Sequence, residues 1–369
     1  MKYCVGSVSI SIFLLTVLVG NAVAEPQIPV IYCSDLFHPH DDPDDHFDLA
    51  CMYAIPEFDI KAIILDQGKK QQQKPGQIPI DQMNDLTGRN VPAVIGLAET
   101  LQSPEDKGTQ QGTVYQKGVE TILTILRESD APVTIIVVGS LRDVAAAYNR
   151  EPELVRSKIH RLYAFIGEAQ ASFQEYNVGL DVNAYRCIMN SSLPVYWVPC
   201  FDGGIWINEG NASFWQAKHE TLLADAADPL LNFFIYMIFR KNEADPVAAL
   251  YQPVVQEEKE KVLTEIRNLW CCALFPHMAS RQYVQRGAAY LAPPKDQVLP
   301  EDKIVKPFSF LPVKVHIDEQ GLEKFDNTDR VQEVHRFHVS DLDAYATVMT
   351  SVSRKLLKEL SKKVSSAKS

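Results

Sequence analysis

Short apolar runs alternate with helix-spaced apolar residues through the first half of the chain. Ile28-Pro29-Val30-Ile31-Tyr32 reads as a buried strand, and a polar stretch links it to a helix marked by Leu49, Met52 and Tyr53. Phe58 to Asp66, Val91 to Gly96, Pro132 to Val138, His160 to Phe165 and Leu193 to Val198 read as further strands. The run from Pro132 to Val138 is continuous and β-branched, as expected of a central parallel strand. Helices are expected over Tyr115 to Leu126, with Val119, Ile122, Leu123 and Leu126 on one face, and over Val182 to Met189. This βα alternation predicts an α/β fold with a mostly parallel, Rossmann-like sheet and helices on both faces.

The second half reads as more helical, with helices expected over Phe214 to Leu223, Pro229 to Arg240, Val262 to Cys272 and Leu342 to Leu360. Pro307 to Val315 is the clearest late strand. Gln67 to Pro79, polar and rich in Gln, Gly and Pro, reads as a long surface loop near the carboxyl edge of the sheet.

The polar positions cluster most densely right after the first strand. Asp35, Asp41, Asp42, Asp44, Asp45 and Asp48 fall within one loop and the start of a helix, interleaved with His38, His40 and His46. Two like charges about 4 Å apart cost roughly 4 kcal/mol at the effective dielectric of a surface cleft. These carboxylates are therefore splayed into solvent, protonated, or gathered on a cation. Oxygen donors point to Ca²⁺ or Mg²⁺, and the histidines add a transition metal as an alternative. A solvated turn also fits, since Asp42-Pro43-Asp44-Asp45 suits the first turn of a helix.

Composition narrows the function. The hydrophobic fraction of 46% and charged fraction of 22% are those of a globular protein, and a net charge of −11 argues against binding a nucleic-acid backbone. Residues 1–24 have the parts of a secretory signal: Lys2, an apolar run from Ile10 to Val19, and Ala22-Val23-Ala24 before the cleavage point. Export to a periplasmic or extracellular space without stable membrane insertion is expected. A single domain is expected over 25–353, and a basic tail over 354–369. Cys33, Cys51, Cys187, Cys200, Cys271 and Cys272 show no CxxC and no framework spacing, and read as buried thiols. GxSxG, GxGxxG, P-loop and HExxH signatures are missing, which lowers serine hydrolases, dinucleotide enzymes and zincins.

Three ordered motifs carry a resemblance. A strand ending in Asp35 is followed by Asp44-Asp45 and Asp48-Leu49 at a helix start; Val137-Val138-Gly139-Ser140-Leu141-Arg142-Asp143 forms a Gly turn; Glu175-Tyr176-Asn177 precedes Asp181. Together these resemble the inosine-uridine nucleoside hydrolase family and its exported relatives. The resemblance implies a Ca²⁺-dependent hydrolase of an N-ribosyl or related glycosidic bond, with Mg²⁺ the second choice of ion. It implies Asp35, Asp42 and Asp45 with the carbonyl of Arg142 as metal ligands. Asp35 or Asp42 would be the base, the two registers remaining open, and Asp44, Glu175, Asn177 and Asp181 would bind the sugar. The expected partner is a small nucleoside or glycoside, and a homo-oligomer is compatible with this reading. The late region Asn268 to Arg281 offers His277 and no Asp or Glu. That keeps an alternative, a catalytically altered nucleoside- or sugar-binding protein on the same fold.

Overall fold

The computed structural model describes residues 1, 27–325 and 333–366. Beyond Met1, the expected signal segment lies outside the described residues.

The sequence runs close as parallel strands in the expected places: β1 (Ile28–Ser34), β2 (Phe58–Leu65), β3 (Ala93–Ile95), β4 (Val133–Val137), β5 (Ile159–Phe165) and β6 (Val195–Val198). Their spatial order is β3-β2-β1-β4-β5-β6. Beyond β6 the sheet continues with Glu333–Val339, which is parallel to it, and then with Phe308–Ile317 and Glu323–Phe325, both antiparallel to their neighbours. The strand order reverses between β1 and β4, and in such sheets ligands bind outside the carboxyl ends at that switch point.

Alternation along β1 divides the core. Val30 and Tyr32 join Phe47, Met52 and Phe234 on one face, while Ile31 and Cys33 join Ile122, Leu126 and Ala146 on the other. A strand buried on both faces reads as an unbroken apolar run, which is why β1 and β4 were visible in the sequence.

Several expectations need correction. The stretch read as a loop over Gln67 to Pro79 contains the helical turn Gly68–Gln71 and the start of a helix at Gln77–Thr87. Pro79 sits in the first turn of that helix, where a missing N–H costs nothing. The helix expected over Phe214 to Leu223 is a strand, Trp215–Lys218, with a short helical turn, His219–Leu222. The helix expected over Val262 to Cys272 ends early, as Gln256–Thr264, and Ile266–Leu269 pairs antiparallel with Trp215–Lys218. The boundary drawn at 353 falls inside the helix Leu342–Ser366. The expected tail over 354–369 is therefore helical as far as 366, and it packs Leu356, Leu357, Leu360 and Val364 into the core. Among the described residues no helix is long and apolar enough to cross a membrane.

Candidate active-site cleft

β1 delivers the first functional carboxyl because its last residue, Ser34, is buried and turns the chain. The Ser34 hydroxyl donates to Asp45 Oδ1 at 3.1 Å and accepts from the Leu36 amide at 3.1 Å. Asp35 follows directly. Burial pushes its carboxyl up to about 8, with the Asp66 charge adding to the rise and Lys70 opposing it.

Asp66, at the end of β2, braces the neighbouring loop. It accepts from the Gln67 amide and the Ser140 amide, each at 2.7 Å. A β-carbon on Gly139 would lie 2.9 Å from Asp35 Oδ1 and 3.1 Å from Asp66 Oδ2. Glycine is therefore what lets the turn after β4 close against both carboxyls.

Helix α1 (Asp44–Tyr53) opens with Asp44 and Asp45, where the partial positive charge of a helix N-terminus favours acids. Burial and the surrounding carboxylates still hold both well above the usual range. One turn on, burial pushes Asp48 up to about 7, against hydrogen bonds from the Cys271 thiol and the Cys272 amide; its Oδ1 has no partner.

The third wall comes from the end of β5. Glu175 caps the short helix Tyr176–Leu180, taking the Gly167 amide at 2.9 Å and the Asn177 amide at 3.0 Å, and burial pushes it up to about 7. Asn177 donates through Nδ2 to the carbonyls of Val138 and Phe165, each at 3.1 Å, and so ties the ends of β4 and β5 together.

These elements enclose a cleft of about 610 Å³, open to solvent at the carboxyl edge. Asp35, Asp42, Asp44, Asp45, Glu175 and Asn177 all line it. Asp42 sits at the rim, its side chain half exposed and 3.8 Å from Arg267. Asp41, also on the rim, pairs with Lys70 and Lys74.

Two expected site residues are not in the lining. Asp181 is buried, accepting from Arg142 Nε at 3.0 Å, the Leu101 amide at 2.9 Å and the Ala184 amide at 3.0 Å. Arg142 opens the helix Arg142–Arg150 and lines a separate cavity with Lys69, Lys70 and Gln73. Sequence reading also missed a whole wall. Phe173, Phe201, Trp206 and Trp270 line the same cleft as the carboxylates, as do Cys200 and Cys271. Trp270 and Cys271 come from the region where His277 was noted; His277 itself packs on Phe308 and Phe310. The aromatic signal was there in Phe201 and Trp206, but nothing local links them to Trp270.

A divalent cation is implied by the resemblance, and the residues can be tested for it. Among the described residues no three Asp, Glu, His or Cys side chains converge as a metal cage. The donor type does fit: Asp35, Asp44 and Asp45 all line the cleft, the Asp35 charge raises the carboxyls of both Asp44 and Asp45, and Asp48 Oδ1 is buried without a partner. Such oxygens suit a hard cation, and the ring nitrogens of His38, His40 and His46 are not in the lining.

The comparisons with known proteins bear on the family and the fold. The family model for inosine-uridine preferring nucleoside hydrolase matches residues 40–321. The pyrimidine-specific ribonucleoside hydrolase RihA of Escherichia coli O1:K1 is 26% identical over 191 residues, covering 46% of this chain and 58% of that protein. The chain thus spans little more than half the length of this curated relative. Among solved structures, the plant nucleoside hydrolase PpNRh1 superposes with a TM-score of 0.54 at 13% identity, covering 90% of this chain and 99% of its own. An inosine-guanosine nucleoside hydrolase gives 0.51 at 15% identity, covering 91% and 99%. At these identities the superpositions speak for the fold alone.

Proposed function

Because the chain belongs to the inosine-uridine preferring nucleoside hydrolase family, we propose that its cleft hydrolyses the N-glycosidic bond of a ribonucleoside. One observation carries the reading. Carboxyls and aromatic rings line one cleft, which suits a polyhydroxyl sugar joined to a flat base.

In this reading Asp35, which follows β1 beside the switch point, is the base that takes a proton from the attacking water, and a bound cation's charge would ionise it against the burial that pushes its carboxyl up to about 8. Asp42, at the rim and near Arg267, is the poorer placed of the two candidates. Asp44 meets the sugar hydroxyls. Asn177 has both donor hydrogens on carbonyls and offers its Oδ1 to the sugar, while Glu175 holds the loop that presents it. The carboxylate wall stabilises positive charge developing on the sugar ring.

Ca²⁺ belongs to the proposal, with Asp35 and Asp45 as the side chains that would hold it. When bound, its charge would lower the pKa of a neighbouring water. Export through residues 1–24 also belongs to it; a mature N-terminus at Glu25 in secreted material checks that.

The test is turnover. Purified protein with Ca²⁺ is expected to release base from inosine, uridine, adenosine or cytidine, to lose this in chelator, and to regain it on adding Ca²⁺. Asp35→Asn is expected to cost about 10²–10⁴-fold in kcat. Release of no base from any nucleoside sinks the reading. The thiol of Cys271, facing the cleft in the late region that offers no carboxylate, favours a second reading of binding without turnover. Calorimetry that finds nucleoside affinity in a protein with no hydrolysis decides for it.

A further inference from the structure

The apolar helix Asp228–Ile238 ends in a tight turn made without glycine. Arg240 stands at φ 51°, its amide donates to the Met237 carbonyl at 3.0 Å, and the Lys241 amide donates to the Tyr236 carbonyl at 3.0 Å, the two bonds of a Schellman turn. The turn presents the Lys241 carbonyl to His38, whose Nε2 donates to it at 2.7 Å. The His38 ring lies against Tyr236, centroids 4.8 Å apart, and His38 belongs to the loop that carries Asp41 and Asp42 to the cleft.

Tyr236 and Lys241 also line a second cavity, of about 330 Å³, which shares no residue with the cleft. That volume is in the range of small-molecule sites. Ile235, Pro253 and Val255 contribute apolar surface to it.

The polar groups of this cavity favour one sign of charge. Glu243, Asp245 and Glu258 stand against a single cation, Lys241. Lys241 Nζ is 2.8 Å from Glu258 Oε2, and Asp245 Oδ1 accepts from the Ala248 amide at 2.9 Å. Glu243 is left without an ion-pair partner among the described residues. Asn232, 8% exposed, spends Nδ2 on the carbonyls of Leu250 at 3.0 Å and Gln252 at 2.8 Å, which leaves its Oδ1 as an open acceptor. Tyr236 is 2% exposed, and its hydroxyl sits beside the Glu243 amide without a hydrogen bond of good geometry. Buried polar groups left in this state are uncommon, because an unmade hydrogen bond forfeits the solvation given up on burial.

We propose that this cavity is a second ligand site, for a small aliphatic amine, with the ammonium held by Glu243 and Asn232 and the hydrocarbon chain by Ile235, Pro253 and Val255. An ammonium carries donors and no acceptor, which matches a site whose open groups are a carboxylate and an amide oxygen. An anion would meet the unpaired carboxylate. A bare metal ion fits less well, since among the described residues no three metal-binding side chains converge and the apolar surface offers an ion nothing.

The test titrates the full chain with putrescine, a diamine, by ligand-observed NMR, with 1,4-butanediol as the uncharged control of equal length. Putrescine is expected to bind, and the diol to bind about tenfold more weakly or not at all. Glu243→Gln, which keeps the shape and removes the charge, is expected to weaken putrescine about fivefold. Val255→Trp, which fills the cavity from a position 50% exposed, is expected to abolish binding. Asp44→Asn changes the acidic cleft and is expected to leave putrescine affinity as it was. Absence of putrescine binding, equal affinity for the diol, or an affinity within about twofold of wild type in Glu243→Gln overturns the proposal. Binding lost in Asp44→Asn and kept in Val255→Trp overturns it too, by placing the amine in the cleft. None of these readouts uses nucleoside turnover, so the two proposals stand or fall separately.

Discussion

Arg142 and Asp181 form a buried pair, their side chains 4% and 1% exposed, with Nε to Oδ2 at 3.0 Å. The guanidinium also donates to the carbonyls of Leu97 at 3.2 Å and Leu180 at 2.8 Å. Burial pushes the Asp181 carboxyl up, and Arg142 and the backbone amides bring it partly back. Asp181 also caps the helix Val182–Met189, accepting from the Ala184 amide. Its work is to fasten the Glu175 loop to the turn after β4. Removing one partner of such a pair strands the other, so Arg142→Ala is expected to cost about 3–5 kcal/mol of stability. Urea unfolding measures it. A midpoint unchanged by the substitution would mean that the pair holds nothing.

At the scale of elements, the site is the meeting of three strand ends, and Gly139 is where two of them touch. A methyl group there would press on Asp35 Oδ1 at 2.9 Å and on the Asp35 amide at 3.1 Å. Gly139→Ala should therefore move Asp35 rather than unfold the sheet. We expect kcat/KM to fall about tenfold, since the contacts call for a shift of less than the 1 Å misplacement that costs about 100-fold, with stability lowered by about 1–3 kcal/mol. Activity equal to wild type would show that the turn yields without moving the carboxyl. The strands that build this junction were legible because each is buried on both faces and carries its own apolar run. Trp215–Lys218 and Ile266–Leu269 were not. Each is four residues long, and each is a strand through pairing with the other across the chain. The same limit hid half the cleft: Asp35, Asp44, Asp45 and Glu175 stand in recognisable local motifs, whereas Trp206 and Trp270 meet only in the folded molecule.

Across the whole molecule, carboxyls are buried with little compensating charge. Burial pushes Asp35 up to about 8, and Asp48, Asp143, Glu175 and Glu323 each to about 7. Each is protonated more readily folded than unfolded, so its stabilising contribution is complete below the unfolded pKa, near 4, and is lost as pH rises through 7 to 8. Two histidines act in the opposite sense. Burial lowers His219 and His277 to about 4, so the folded state gains from them as pH rises from 4 to 6.5, and nothing further above that. Between pH 6.5 and 8.5 the carboxyls dominate, joined toward 8.5 by the thiols of Cys33, Cys51, Cys200 and Cys271 that burial holds above their usual range, and stability is expected to fall as pH rises. Glu323 isolates the effect, because it lies outside the cleft lining, accepts from the Tyr185 hydroxyl at 2.7 Å, and leaves Oε2 buried without a partner. A glutamine keeps the acceptor and cannot ionise. Glu323→Gln should therefore remove about 1 kcal/mol of the decline over that interval. Urea melts at pH 6.5 and 8.5 read the difference, and a wild-type midpoint that rises with pH would show that these carboxyls are not held neutral by the fold.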